Sequence, residues 1–183
     1  MNSAITSDLQ AWKGVFSREL STQLEQLRED QDIYAFALEV PEDLGNPDIS
    51  TVVGRESKLI GEKRGSLTWL NRRYSPVEWG DYLPNAIAFH QTNDLLEQIC
   101  NRHKSVFSDE EGDDTPEGLE FQDALYSACL EVMAQCDAEG SFGHIWFKII
   151  FMSDGEHPII RESFLRLNTG RGLKEAAVLF AED

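Results

Sequence analysis

Positive charge is scarce in this sequence. Sixteen Lys and Arg face 33 Asp and Glu, a formal net charge of −17. Such a field repels nucleic acid and anionic membranes and speeds encounter with basic partners; the alternative is that acidity serves solubility alone. Cysteine is nearly as scarce. Cys100, Cys129 and Cys136 form an odd, widely spread set without a CxxC, which suits a reducing compartment and excludes a disulfide framework. The histidines His90, His103, His144 and His157 never pair at three- or four-residue spacing, and HExxH is absent. Neither GxGxxG nor GxxxxGK[ST] occurs; Gly170-Arg171-Gly172 follows no strand pattern and reads as a turn. Cys100 stands three residues before His103, with no third group to orient a nucleophilic pair. No apolar run reaches 18 residues, and no basic stretch followed by an apolar one opens the chain. The expectation is a cytoplasmic protein, not an enzyme, with no metal, no cofactor, no membrane partner and no nucleic-acid partner.

What is present is an ordinary globular composition, 41% hydrophobic and 27% charged over 183 residues, enough for one domain spanning 1–183. The pattern is organised around Ile33-Tyr34-Ala35-Phe36-Ala37-Leu38-Glu39-Val40. Its β-branched and aromatic residues suit a buried central strand, and Pro41 ends it. Ala35 and Ala37 leave room on one face for the helix just upstream. In that helix, Ser7–Arg28, Leu9, Trp12, Phe16, Leu20, Leu24 and Leu27 recur at helical steps behind a Ser7/Gln10 capping box. Gly45-Asn46-Pro47-Asp48 is turn chemistry before a short strand, Ile49–Val53. Glu56–Lys63 holds a helical turn, and Leu67–Arg72 reads as a third strand. Ser75-Pro76-Val77-Glu78 has the form of a helix start. A helix is expected over Thr92–His103 and a long one over Pro116–Ala138, with Leu119, Leu125, Cys129, Val132, Met133 and Cys136 on its buried side. Ile145–Met152 is apolar enough for a strand covered on both faces. Pro158 opens a late helical region, and Leu173–Ala181 adds a final short helix. The fold class is therefore α+β: an antiparallel-rich sheet with two long amphipathic helices packed on it.

Two stretches carry candidate function. The acidic segment at about 108–115, with Asp109, Glu110, Glu111, Asp113 and Asp114, reads as a mobile, partner-facing loop, and Tyr82 is a candidate exposed aromatic contact. The segment Asn71–Trp79 sets Arg72, Arg73, Tyr74 and Trp79 next to a helix start. It holds either an anion or an acidic partner group, or it is structural, an arginine paired with a carboxylate under an aromatic cover.

The order of these parts resembles the bacterial domain of unknown function 4303 family. Tyr34-Ala35-Phe36-Ala37-Leu38 is similar to a "FYAFAL"-like strand, and Arg73-Tyr74-Ser75-Pro76-Val77-Glu78-Trp79 to an "RWSPxEW"-like segment, with Tyr74 where the pattern has Trp. Ile149-Ile150-Phe151-Met152-Ser153-Asp154 and Ser163-Phe164-Leu165-Arg166-Leu167-Asn168 match a late strand before Ser-Asp and a terminal "S...RLN". The resemblance runs roughly from Leu9 to Asn168. It brings no catalytic residues with it. It implies a setting among genes for polymorphic toxins, where small acidic proteins serve as immunity factors. The expected function is thus a non-enzymatic protein that binds a cognate bacterial toxin with a basic cleft. The alternatives are an anionic-ligand domain or enzyme built on Arg72, Arg73, Tyr74 and Trp79, and a scaffold module unrelated to toxins.

Overall fold

Ile33–Glu39 forms β1, the middle strand of a three-stranded sheet of order β2-β1-β3, in which β2 is Ser50–Arg55 and β3 is Phe147–Phe151. The computed structural model describes residues 2–82 and 89–180. β1 and β2 pair antiparallel through the expected short connection, with Phe36 opposite Val53 and Leu38 opposite Thr51. β3 pairs parallel to β1, Ala37 against Ile149, so the sheet is mixed rather than mainly antiparallel. A long crossover separates β1 from β3, and such a connection permits parallel pairing where a tight turn does not.

Helix α1 (Ser3–Leu27) begins one turn earlier than the capping-box reading placed it, because the Asn2 side chain accepts from the amides of Ala4 and Ile5. Leu67–Tyr74, expected as a strand, is helix α2. The Ser66 hydroxyl accepts from the Trp69 amide and fixes its first turn, overriding the strand leaning of Thr68 and Trp69. Pro76–Glu78 is a single 3₁₀ turn, and the Ser75 side chain does not cap it. Helix α3 (His90–Arg102) has no cap of its own side chains; Glu19 of α1 accepts from the amides of Gln91 and Thr92 instead. A four-residue helix α4 (Lys104–Phe107) leads to α5 (Pro116–Ala138), whose bounds are those read from the sequence. Leu119 is the exception to its buried side: it is half exposed, while Phe121, Gln122, Leu125 and Tyr126 face inward. Helices α6 (Pro158–Leu167) and α7 (Arg171–Ala176) follow β3.

The sheet is covered on both faces. Phe36, Leu38, Val53 and Ile150 share one core with Trp12, Phe16 and Leu20 of α1, Leu96 of α3, and Leu125, Val132 and Met133 of α5. Ala35 and Ala37 do not meet the upstream helix. Their face is filled by Trp69 and Tyr74 of α2, Trp79, Phe164 of α6 and Ala176 of α7. Small residues there leave depth for four large aromatic neighbours. The register shifts between Ile33 and Ala35, so Tyr34 falls on the same side as Ala35 instead of alternating with it.

Both sheet edges are closed. Along β2, the Val53 amide donates to Asp81 O at 3.2 Å, and Val52 bridges to Tyr82. Along β3 two side chains take the place of a strand. The Lys148 amide donates to Asn168 Oδ1 and the Ile150 amide to Ser163 Oγ, both at 2.9 Å, while Asn168 Nδ2 donates to Lys148 O at 2.6 Å. The Ser163–Asn168 segment thus removes an unpaired edge that otherwise invites pairing with another chain.

One backbone approach makes a sharp prediction. A Cβ on Gly118, in the first turn of α5, would lie 2.3 Å from the carbonyl oxygen of Phe107, which accepts from the Thr115 amide at 2.9 Å. Gly118→Ala therefore costs about 1–3 kcal/mol by forcing α4 and α5 apart, more than the ~1 kcal/mol that alanine adds to helix propensity. Urea melts check this; a more stable variant contradicts it.

Candidate functional site

The arginine segment is dominated by the burial of Arg73. Helix α2 carries Arg73 inward, 3% exposed, onto the face of β1 that the displaced Tyr34 occupies. Its guanidinium lies 4.4 Å from the Tyr34 ring centroid and 5.2 Å from those of Trp69 and Trp146. Glu56 closes the arrangement with two hydrogen bonds, Nη1 donating to Oε2 at 3.0 Å and Nη2 to Oε1 at 2.5 Å. The Tyr34 hydroxyl in turn donates to Arg73 O at 2.8 Å. Burial pushes the Tyr34 phenol well above its ordinary range, so it is a permanent donor. Gly54, paired with Ala35, leaves the ring its room: a Cβ there would stand 3.0 Å from both the Tyr34 ring and Ala35 Cβ, so either would have to shift by a few tenths of an ångström.

The other three candidates go separate ways. Tyr74 donates to Glu175 Oε2 at 2.5 Å, and burial followed by that bond raises its phenol. Glu175 shows the opposite balance: burial alone would raise its carboxyl, but hydrogen bonds from Tyr74 and Arg171 hold it below the usual carboxylate range. Arg72 is exposed and donates to Glu62 at 2.6 Å. Trp79 sits edge-on to Tyr34 and Phe147, and its buried indole N–H has no acceptor among the described residues. Arg72 and Trp79 line a cleft of ≈ 230 Å³ with Tyr34, Arg55, Lys58 and Glu78. Carboxylates already answer its arginines: Arg55 pairs with Asp30, and with Asp81 at 2.5 Å. Arg73 lines a different cleft of ≈ 290 Å³, with Glu56, Arg64, Trp69 and Arg171 among its walls.

The far end of β1 is acidic. Glu39, Glu42, Asp43 and Asp48 line a cleft of ≈ 290 Å³ together with Asn46, Ser50 and Ser153. Glu42 also organises the Ser-Asp turn after β3, its Oε1 accepting from the amides of Asp154 at 2.6 Å and Gly155 at 3.1 Å. Tyr82, bridged to Val52 of β2, is 49% exposed, its phenol raised by partial burial and then by the charge of Glu39. Burial and the charges of Asp43 and Asp113 raise the Asp114 carboxyl. The loop itself is a closed turn in which Asp109 Oδ1 accepts from the amides of Glu111 and Asp113, and Ser108 bridges to Asp114. Asp109, Glu110, Glu111 and Asp113 point to solvent around it. Tyr82 and Asp114 thus each feel the charge of one carboxylate of this cleft, Glu39 and Asp43 respectively, without lining it. Sequence reading passed over Glu39, Glu42, Asp43 and Asp48; acids gathered at a strand end and its following turn were the available signal.

The thiols are buried, and His103 and His157 are hydrogen-bonded. All three cysteines are free and buried, and burial pushes the Cys100 thiol up to about 12, far from a thiolate at neutral pH. His103 Nε2 meets Asp8 at 2.9 Å rather than Cys100, and His157 uses Nδ1 to accept from the Ile159 amide at the start of α6. Among the described residues no three His, Cys, Asp or Glu are placed to hold a metal ion, and no helix is long and apolar enough to cross a membrane.

No curated protein and no solved structure matches the chain. One family model does, over residues 16–169, which include β1, the arginine segment, the Ser153-Asp154 turn and the edge-closing Ser163 and Asn168. The chain belongs to the family described as Domain of unknown function (DUF4303).

Proposed function

We propose that the chain is a binding protein that works without chemistry of its own, engaging a basic protein partner through the acidic end of its sheet. The partner that fits best is a bacterial toxin with a basic cleft, which makes this an immunity protein acting in the cytoplasm. One observation carries the reading: Glu39, Glu42, Asp43 and Asp48 line one cleft at the end of the sheet, and the charges of Glu39 and Asp43 reach the exposed Tyr82 and Asp114 of the acidic loop. Acids supply long-range attraction, and an aromatic among them supplies the kind of anchor that sets dissociation.

The test is co-expression with the toxin domain encoded beside this gene: the wild-type chain protects the cell, and failure to bind or protect removes the reading. Kinetics add a second expectation. Between about 50 and 500 mM salt the Debye length falls from ~14 to ~4 Å, so association slows at least about tenfold while dissociation changes little. Neutralising Asp109, Glu110, Glu111, Asp113 and Asp114 together lowers the on-rate in the same way. An on-rate indifferent to salt removes steering from the account.

A further inference from the structure

The geometry points to a second site, an oxyanion pocket between Arg64 and Arg171 that takes a carboxylate or phosphate carried on a flat apolar body. It is separate from the acidic end and does not depend on the partner proposed there. The charge count favours it. Arg73 is matched by Glu56 through both Nη atoms. Arg64 and Arg171, in contrast, share one carboxylate: Arg64 Nη2 donates to Glu175 Oε1 at 3.2 Å and Arg171 Nε donates to the same atom at 2.9 Å. Two guanidinium charges facing one carboxylate leave one positive charge in surplus, in a chain whose formal charge is −17. Both Nη atoms of Arg171, and Nε and Nη1 of Arg64, have no acceptor among the described residues. The two side chains are 44% and 72% exposed, so their free N–H groups are open to a ligand.

The walls supply the rest. The cleft of ≈ 290 Å³ runs between these arginines over Trp69, Leu59 and Ile60, and Ile60 is 82% exposed. Arg64 lies 5.9 Å over the Trp69 ring, Arg73 lies 5.2 Å from Trp69 and from Trp146, and Arg171 lies 4.9 Å over Trp146. Each of these guanidinium groups lies within cation–π range of an indole, which favours keeping the charges at this cleft. Glu175 shows what the cradle accepts: its carboxylate takes hydrogen bonds from Arg64, Arg171 and the Tyr74 hydroxyl together. An incoming oxyanion uses the donors that Glu175 leaves, and its flat body lies along Trp69 and Ile60.

Nuclear magnetic resonance titrations of the full chain with phenyl phosphate, benzoate and inorganic phosphate test this through the arginine Nε–H and indole N–H signals. Phenyl phosphate is expected to bind with Kd on the order of 1 mM, and inorganic phosphate about tenfold more weakly for want of the ring. Arg64→Ala and Arg171→Ala each weaken phenyl phosphate binding about tenfold. Glu175→Gln tightens it several-fold, because the amide keeps the Tyr74 hydrogen bond and withdraws the competing charge. Arg72→Ala, paired with Glu62 in the neighbouring cleft, binds as wild type does. No saturable shift in either wild type or Glu175→Gln at about 10 mM ligand overturns the site. Undiminished binding by Arg64→Ala and Arg171→Ala, or affinity for inorganic phosphate equal to that for phenyl phosphate, overturns it as well.

Discussion

Replacing Phe36 with alanine lowers the folding free energy by about 3–5 kcal/mol. The ring is fully buried on the middle strand, between Val53 of β2 and Lys148 of β3 in register, and edge-on to Phe142 at 5.4 Å. No neighbour can close the gap cheaply, because α1 and α5 are held against that face by their own apolar stripes. The lost area and the cavity therefore add, and domains of this size have only about 5–15 kcal/mol to lose. Urea melts read the change directly. A loss below about 1 kcal/mol would show that the ring lies outside the core.

Arg73→Ala is the second large effect, with an expected loss of about 2–4 kcal/mol. Truncation removes the side chain that fills the space between Tyr34, Trp69 and Trp146, together with its ring contacts and the bidentate pair with Glu56. Glu56 is half exposed and stays hydrated, so the loss comes mainly from packing and from the rings. The buried Nε has no acceptor among the described residues, which subtracts from what the wild-type residue contributes. Arg73→Lys should recover less than half of the loss, since an ammonium cannot reach three ring faces and both oxygens of Glu56 at once. Thermal melts of the two variants, beside partner binding by Arg73→Ala, separate structure from recognition. Unchanged stability with binding lost would make Arg73 a contact residue instead.

Where local chemistry decided the structure, the sequence was readable. Thr115 and Pro116 at one end and Gly140 at the other bound α5, and an apolar run ended by a proline marks β1. Where two local preferences competed, it was not. Leu67-Thr68-Trp69-Leu70 is too short to show a helical period, and the hydroxyl of Ser66 decided what Thr68 and Trp69 left open. The parallel pairing of β1 with β3 was hidden because more than 100 residues separate the strands, and no turn reports their direction. The same distance concealed the sites. Arg64 and Arg171 meet through Glu175, and Asp114 comes to feel the charge of Asp43, only after the chain has folded. Tyr34 was placed on β1 correctly, yet the register shift that turns it toward Arg73 has no mark in the residue types around it.

Amide hydrogen exchange on the chain bound to the proposed partner, a toxin domain with a basic cleft, tests the binding surface most directly. The account predicts slowed exchange at Glu39–Ser50, at Tyr82 and in the Ser108–Thr115 turn, with Glu56–Trp69 and Arg171–Glu175 unchanged. Protection at Glu56–Trp69 and Arg171–Glu175, with the acidic end exchanging as in the free chain, would contradict it.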